Sequence, residues 1–255
     1  MRFWIPALVG GAFTLAAGAV ASGATGAVES AAPATPGTVT VVTAVPDSSL
    51  EVRIDGEAVA ATGAVTDPVE LAPGSHEVWF GADGAAPDEG VTSAFRVRSG
   101  ATLDLVIHRP ATVDGDPVVS SFPMPTKPIG PGKARVLLAH TATVPPADVR
   151  VNGETVFTNI ANGEFATADL PGGSHRVALL PTGRTSDPIL GPLDLAVEAG
   201  TVTMVYAVGN PRDGSMDVVA HTASLSADGT VAPDTIRTGS AGLAAERVVV
   251  PFGPG

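Results

Sequence analysis

The sequence predicts an all-β protein that contains two β-sandwich units in tandem. Three observations predict it. The chain is interrupted at short intervals by 30 Gly and 23 Pro, and the segments between them are short and often alternate in polarity. One long stretch of the sequence also occurs as an internal repeat. The repeated stretches have no clean helical period, so we expect little helix. With 255 residues and 44% apolar residues, the chain can fill the cores of one large or two small domains.

The internal repeat rests on four pairs of segments that occur in the same order and lie 97 to 100 residues apart: 52–56 and 149–153, 71–76 and 170–175, 100–102 and 200–202, and 117–120 and 217–220. We therefore predict a first repeat at 37–122 and a second at 134–222. The segment 123–133 between them is rich in Pro and Gly and holds both lysines of the chain, which is typical of a linker.

Short runs of β-branched or alternating residues, bounded by turn residues, predict the strands. In the first repeat these runs are 39–43, 50–54, 75–81, 93–97, 102–108 and 117–122. The pairs Asp55-Gly56 and Asn152-Gly153 suit a type I′ hairpin turn, which needs positive φ at both central positions. Six to eight short strands in about 90 residues predict an immunoglobulin-like β-sandwich for each repeat.

The N-terminus, residues 1–24, is predicted to be a signal peptide. Arg2 is followed by a run of apolar and small residues, and 19–21 (AVA) is a suitable cleavage site, with 22–24 (SGA) nearly as good. An uncleaved anchor is the alternative, because 26 consecutive uncharged residues could also span a bilayer. Cleavage would give a secreted or envelope-associated protein without a stable membrane span, in which 25–36 is a linker.

Charge and composition exclude several function classes. The chain has 14 Lys and Arg against 26 Asp and Glu, and this net charge of -12 argues against nucleic acid and anionic membranes as partners. The absence of Cys excludes disulfides, thiolate nucleophiles and sulfur-liganded zinc sites. The sequence also lacks a phosphate-binding loop of the G-x-x-x-x-G-K-[ST] type, and we predict no cofactor.

The histidines are the natural candidates for catalysis, and there are five: His76, His108, His140, His175 and His221. None of them lies in a G-x-S-x-G, S-x-x-K or H-E-x-x-H motif. His76 and His175 occupy equivalent positions after a turn, which favours a structural role. We therefore predict that the protein is not an enzyme and has no metal, and a hydrolase with an unrecognised site is the third alternative.

Three segments of the second repeat resemble a known bacterial family, the domain of unknown function DUF4397: 134–140 (ARVLLAH), 145–153 (PPADVRVNG) and 170–175 (LPGGSH). The resemblance covers about 37–222 and is closer in the second repeat, because the first has Thr43 where the second has His140. It implies an exported, immunoglobulin-like protein, often tandem, without an assigned activity.

Acidic residues of the first repeat suggest a candidate cation site. Asp83, Asp88 and Glu89 fall in one predicted loop. Asp114 and Asp116 fall in another, and exported proteins bind Ca²⁺ through such carboxylates. Neither loop has the D-x-[DN]-x-[DN]-G spacing, so solvated turn residues are the competing interpretation. The first repeat is the more acidic of the two, and we expect a cation or a basic partner to bind there.

Trp79 is the most informative single residue. Alternation places Val78 and Phe80 on one face of their strand and Trp79 with Glu77 on the other. An indole on a charged face could stack on a sugar or anchor a protein partner, unless a loop or the neighbouring domain covers it. Ala178 is its equivalent in the second repeat.

The candidate ligand-binding residues are therefore Trp79, Glu77, Asp83, Asp88 and Glu89. The predicted function is that of a non-catalytic secreted or cell-surface module for binding, adhesion or spacing, with a surface protein or a glycan as partner. The alternative is an accessory module that binds calcium or a glycan through the first repeat. The tail, 223–255, could add a strand through its apolar run at 248–252.

Overall fold

The computed structural model describes residues 34–46, 49–112 and 115–225. Nearly all of the ordered elements in these ranges are β-strands, which confirms the predicted all-β, sandwich-like fold class. The predicted signal peptide, 1–24, and the C-terminal apolar run, 248–252, lie outside the described residues. Within the described ranges, no helix has the length and apolar character needed to cross a membrane.

The strands of the first repeat are β1 (Gly37–Ala44), β2 (Leu50–Ile54), β3 (Glu57–Ala58), β4 (Ala61–Thr62), β5 (Val65–Thr66), β6 (Val69–Leu71), β7 (Gly74–Ala82), β8 (Val91–Val97), β9 (Thr102–His108) and β10 (Val118–Pro123). A short 3-10 helix, Pro87–Glu89, lies between β7 and β8. The strands form a first outer sheet in the order β3-β2-β7-β8 and a first inner sheet in the order β10-β9-β1-β5-β4, where β6 also pairs with β1. Each of the six predicted runs coincides with or overlaps a strand.

The strands of the second repeat are β11 (Lys133–His140), β12 (Ala147–Val151), β13 (Glu154–Ile160), β14 (Phe165–Pro171), β15 (Gly173–Pro181), β16 (Leu190–Val197), β17 (Thr201–Val208) and β18 (Asp217–Ser224). They form a second outer sheet, β13-β12-β15-β16, and a second inner sheet, β14-β11-β17-β18. The repeats share a parallel pairing, β1 with β9 and β11 with β17, while the other described pairs are antiparallel. The predicted residue boundaries of the two repeats stay a prediction.

The two predicted hairpin turns are present and have the expected geometry. Asp55 and Gly56 have φ of 50° and 86°, and Asn152 and Gly153 have φ of 53° and 88°. The residues that flank each turn are directly paired, so the loops have two residues. Positive φ at both positions defines the type I′ turn, and Asn, Asp and Gly reach it with the least strain.

The four sheets stack as four layers with three hydrophobic cores between them. One core lies inside each sandwich, between its outer and inner sheet. The third lies between the two inner sheets, and we call it the interface core: Val42, Ala44, Val65, Val106, Phe122, Met124, Leu137, Ala139, Val202, Met204, Tyr206, Val208 and Ala223. Adjacent residues of β1 show the arrangement, because Val41 packs inside the first sandwich and Val42 packs in the interface core.

The central strands of the inner sheets are apolar on both faces, which explains their sequence. Every residue of β17 is buried, and β9 is buried from Leu103 to His108. Strands covered on both sides read as nearly continuous apolar runs and lose the alternation of a half-exposed strand. The two repeats are thus docked against each other, a relation that the sequence analysis did not predict.

Candidate functional site

Trp79 is buried on the outward face of the first outer sheet. Its side chain points away from the sandwich core, as the alternation predicted, yet the residue is only 7% exposed. Its Nε1 donates a hydrogen bond of 2.9 Å to the carbonyl oxygen of Pro87. A Cβ built on Gly90 would lie 2.2 Å from the indole Cε2, so the 83–90 loop lies directly against the ring. The sequence analysis allowed for an exposed indole or one covered by a loop, and the structure shows the covered indole.

The other side of the indole is covered by Arg53. The guanidinium carbon of Arg53 lies 4.7 Å from the ring centroid, within the range of a cation-π contact. Arg53 Nε also donates to Glu51 Oε1 at 2.7 Å, and this hydrogen bond lowers the pKa of Glu51. The chain's own loop and Arg53 thus cover the indole, and Trp79 does not form an open stacking platform.

The acidic candidates surround this covered indole. Glu77, Asp83, Asp88 and Glu89 are exposed to solvent. Glu89 Oε2 accepts a hydrogen bond of 3.0 Å from the backbone N–H of Ala86, which closes the loop on itself. That these residues bind a ligand stays a prediction.

The predicted calcium site gains no geometry from the described residues. Within those ranges, no group of three or more His, Cys, Asp or Glu side chains is placed to hold a metal ion. Asp114, from the second acidic loop, lies outside the described residues. Calcium binding therefore stays a prediction, which a rise in melting temperature with added Ca²⁺ and its reversal by chelator would test.

The second outer sheet has an open cleft at the equivalent place. Ala178 pairs with Arg150 across β15 and β12, as Trp79 pairs with Arg53 across β7 and β2. The cleft has a volume of about 550 Å³ and is lined by Arg150, Asn152, Gly153, Arg176, Ala178, Leu180, Thr185, Ser186, Pro188 and Pro192. The sequence analysis paired Ala178 with Trp79 but did not predict a cleft. The sequence did contain a signal for the cleft, because Ala178 has a methyl group where the first repeat has the indole of Trp79.

His76 of β7 and His175 of β15 each contact one of the two hairpin turns. His76 Nδ1 lies 2.7 Å from Asp55 Oδ2, and Nε2 lies 2.7 Å from the carbonyl oxygen of Ala72. His175 makes the same pair of contacts with Asn152, at 3.1 Å, and with the carbonyl oxygen of Pro171, at 2.8 Å. The structural role predicted for these two histidines agrees with this geometry.

Two further histidines lie at one end of the contact between the repeats. His108 Nδ1 donates to the carbonyl oxygen of Arg109 at 2.9 Å, and Nε2 accepts from the Ser120 hydroxyl at 2.8 Å. His140 is fully buried, and neither ring nitrogen has a hydrogen-bond partner among the described residues. Burial lowers the pKa of both His108 and His140, and their mutual repulsion lowers the pKa of His108 further.

The fifth histidine belongs to a buried polar triad that joins the repeats. Asp104 of β9 accepts hydrogen bonds on Oδ2 from the Tyr206 hydroxyl of β17 and from His221 Nε2 of β18, the latter at 2.5 Å. The side chains of Asp104 and His221 are inaccessible to solvent. Burial and the neighbouring carboxylate raise the pKa of Tyr206 well above its ordinary value, so the hydroxyl remains a donor. The sequence analysis missed this triad, although Asp104 stands out as a single charge in an apolar strand.

The fold and these sites define a class, that of a tandem all-β protein with two docked sandwiches. Residues 37–147 match the family model described as "Domain of unknown function (DUF4397)", which confirms the resemblance to that family. The matched segment spans β1 to β11 and lies mainly in the first repeat, and it includes 134–140, one of the three segments of the second repeat that carry the resemblance. A comparison of the sequence with curated proteins found no match.

Proposed function

We propose that the protein is a non-catalytic, exported or cell-surface module that binds a surface protein or a glycan. The observation that carries the proposal is the interface core, which joins the two repeats through buried side chains from both inner sheets. Interfaces between domains permit relative motion by default unless they are large and hydrophobic. The two outer sheets are therefore held in a fixed relation, which suits a module for adhesion or spacing.

The placement of the histidines supports a non-catalytic role. Four of them contact another side chain of the fold, namely Asp55, Ser120, Asn152 and Asp104 in turn, and the fifth, His140, is buried. A general base must reach a substrate proton directly or through one water molecule. The Asp104–His221 pair has the carboxylate orientation that a hydrolase uses, but it lies where no substrate can reach it.

Export is part of the proposal because the N-terminal residues have the pattern of a signal peptide. The strongly acidic composition suits a soluble surface module, since it disfavours nonspecific retention on anionic lipids and nucleic acid. The direct measurement of export is the N-terminal sequence of the protein recovered from the medium or the cell surface. A mature chain that starts at Ser22 or Thr25 would agree with the predicted cleavage sites.

The binding function is tested by the retention of the labelled chain on intact cells, on isolated cell wall and on a panel of polysaccharides. We expect saturable retention on at least one of these surfaces. The controls are the same chain after thermal unfolding and an unrelated acidic β-sandwich of similar charge. Retention equal to that of the controls on every surface would contradict the binding function. Turnover of an ester, amide or glycoside substrate by the purified chain would contradict the non-catalytic assignment.

A further inference from the structure

The two outer sheets differ most at one equivalent place. In the first repeat, the indole of Trp79 fills the space between Arg53 and the 83–90 loop. In the second repeat, the loop 182–189 has the same length, but Ala178 replaces the indole. The cleft of about 550 Å³ opens there. The first repeat makes room for its indole with Gly81 and Gly90, because a Cβ on these residues would lie 2.8 Å and 2.2 Å from the ring. The second repeat has Leu180 and Ile189 at the equivalent positions, so other walls shape its cleft.

The walls of the cleft are apolar. Leu180 stands where the first repeat has Gly81, is only 2% exposed and forms one side of the cleft. Pro188 of the loop and Pro192 of β16 also line it. Prolines and a buried leucine offer rigid apolar surface that a planar ring can contact with little loss of conformational freedom.

Two guanidiniums line the same cleft without a carboxylate partner. Arg150 Nη1 donates to the carbonyl oxygen of Thr185 at 2.9 Å, while Arg150 Nε is buried and has no hydrogen-bond partner among the described residues. In the same ranges, neither Arg150 nor Arg176 has a carboxylate oxygen within 4.0 Å. In the first repeat, by contrast, Glu51 already pairs with Arg53.

This charge arrangement selects an anion. A buried donor without an acceptor is unfavourable, so a ligand oxygen placed against Arg150 Nε would be favoured. Arginine recognises planar carboxylates through paired N–H groups. Asp194 is the cross-strand partner of Arg176, yet neither arginine forms an ion pair in the described ranges, so both guanidiniums can turn to a ligand carboxylate. The cleft therefore combines a place for a ring with a place for a carboxylate.

We propose that this cleft of the second repeat binds an aromatic carboxylate. The ring lies over Ala178, against the apolar walls formed by Leu180, Pro188 and Pro192, and the carboxylate accepts hydrogen bonds from Arg150 and Arg176. The inference rests on the proposed binding function and assigns a ligand class to one of its surfaces.

Isothermal titration calorimetry of the full chain with N-acetyltryptophan tests the ligand class. We expect saturable binding at one site per chain. N-acetyltryptophan amide, which has the ring without the carboxylate, should bind at least about tenfold more weakly, and N-acetylglycine, which has the carboxylate without the ring, should give no saturable heat. No saturable binding of N-acetyltryptophan, or equal affinity for its amide, would overturn the proposal.

Two variants test the location. Ala178→Trp should abolish binding because the larger side chain occupies the cleft, and Arg176→Gln, at an exposed position, should weaken binding at least about tenfold. The control is Arg53→Gln, which removes the first repeat's equivalent of Arg150 and should leave the affinity unchanged. A melting curve checks that each variant is folded. Binding that survives in folded Ala178→Trp would place the ligand elsewhere and overturn the proposal.

The proposal and the wider binding function fail in different ways. Retention on cells or cell wall by a chain that does not bind N-acetyltryptophan would contradict only the ligand class. Saturable binding of N-acetyltryptophan by a chain that no surface retains would contradict only the surface function.

Discussion

The two hairpin turns use the same backbone and different chemistry. Asp55 and Asn152 occupy equivalent positions. Each side chain accepts a hydrogen bond from a backbone N–H of the neighbouring strand, that of Glu77 in β7 for Asp55 and that of Arg176 in β15 for Asn152. Asp55 offers only acceptors to His76, whose other nitrogen also faces a carbonyl, so both ring nitrogens are satisfied when the imidazole is protonated.

The second turn has an amide in place of the carboxylate. Asn152 Nδ2 lies 3.1 Å from His175 Nδ1 and can donate to it, while Nε2 of the same ring donates to the carbonyl oxygen of Pro171. This pattern satisfies a neutral imidazole. A change from carboxylate to amide at one turn position therefore changes the hydrogen-bonding groups that face the histidine and keeps the backbone. The repeats share a scaffold, and single side chains give each its own chemistry.

The largest expected effect tests the covered indole of the first repeat. Trp79→Ala should lower the free energy of unfolding by about 3 kcal/mol, because it empties the space between Arg53 and the 83–90 loop and removes the hydrogen bond to Pro87. Urea unfolding measures the change. Glu77→Ala, on the same face but exposed, is the control and should stay within about 0.5 kcal/mol of the parent. A loss below about 1 kcal/mol for Trp79→Ala would show that the indole contributes little to the first repeat.

The second effect tests the contact between the repeats. Tyr206→Phe removes a donor to Oδ2 of the buried Asp104 carboxylate, whose Oδ1 has no hydrogen-bond partner in the described part of the chain. We expect a loss of about 2 kcal/mol in the free energy of unfolding, the usual consequence of leaving a buried polar group unsatisfied. Ser121→Ala, which removes an exposed hydroxyl from β10, is the control. An unchanged unfolding curve for Tyr206→Phe would mean that the triad does not stabilise the docked repeats.

These two regions mark the boundary of what the sequence predicted. The strands, the type I′ turns at Asp55-Gly56 and Asn152-Gly153, and the direction of Trp79 follow from local alternation and turn chemistry. The cover over Trp79, the cleft beside Ala178 and the interface core depend on contacts between segments far apart in the chain. The sequence did contain a signal for the interface core, since the apolar run of β17 lacks the alternation of a half-exposed strand.

The third effect concerns the histidine that distinguishes the second inner sheet from the first, which has Thr43 at the equivalent position. Burial lowers the pKa of His140, with His108 nearby and the carboxylate of Glu164 opposing the shift. The unfolded chain then binds a proton more readily than the folded chain, so stability is full above about pH 6.5 and falls as the pH drops below it. His140→Leu should make this fall shallower, by about 1 kcal/mol between about pH 7 and about pH 5.

The control for that prediction is Leu138→Met, a change on the same strand that introduces no titratable group. It should shift the free energy of unfolding equally at every pH and leave the slope unchanged. If His140→Leu and the parent lose stability in parallel as the pH falls, the buried histidine does not titrate with unfolding.

The smallest effect exchanges the chemistry of the two hairpin turns. The hydrogen bond to Asp55 raises the pKa of His76, and the same bond lowers the pKa of Asp55. The histidine contribution is present below about pH 6.5 and is lost as the pH rises through its raised value, while the aspartate contribution is present above about pH 3.8 and is lost as the pH falls through its lowered value. The pair therefore stabilises most between these limits, by at most about 1 kcal/mol because Asp55 is 47% exposed.

Asp55→Asn should remove that maximum, because the amide takes away the carboxylate that raises the pKa of His76. The reciprocal change, Asn152→Asp, should create a maximum in the same acidic range, since His175 would then face two acceptors as His76 does. Urea unfolding at a series of pH values on both variants measures the exchange, and the double variant should restore the profile of the parent. If Asn152→Asp lowers the free energy of unfolding without creating a maximum at acidic pH, the two turns are equivalent in their backbone but not in their electrostatics.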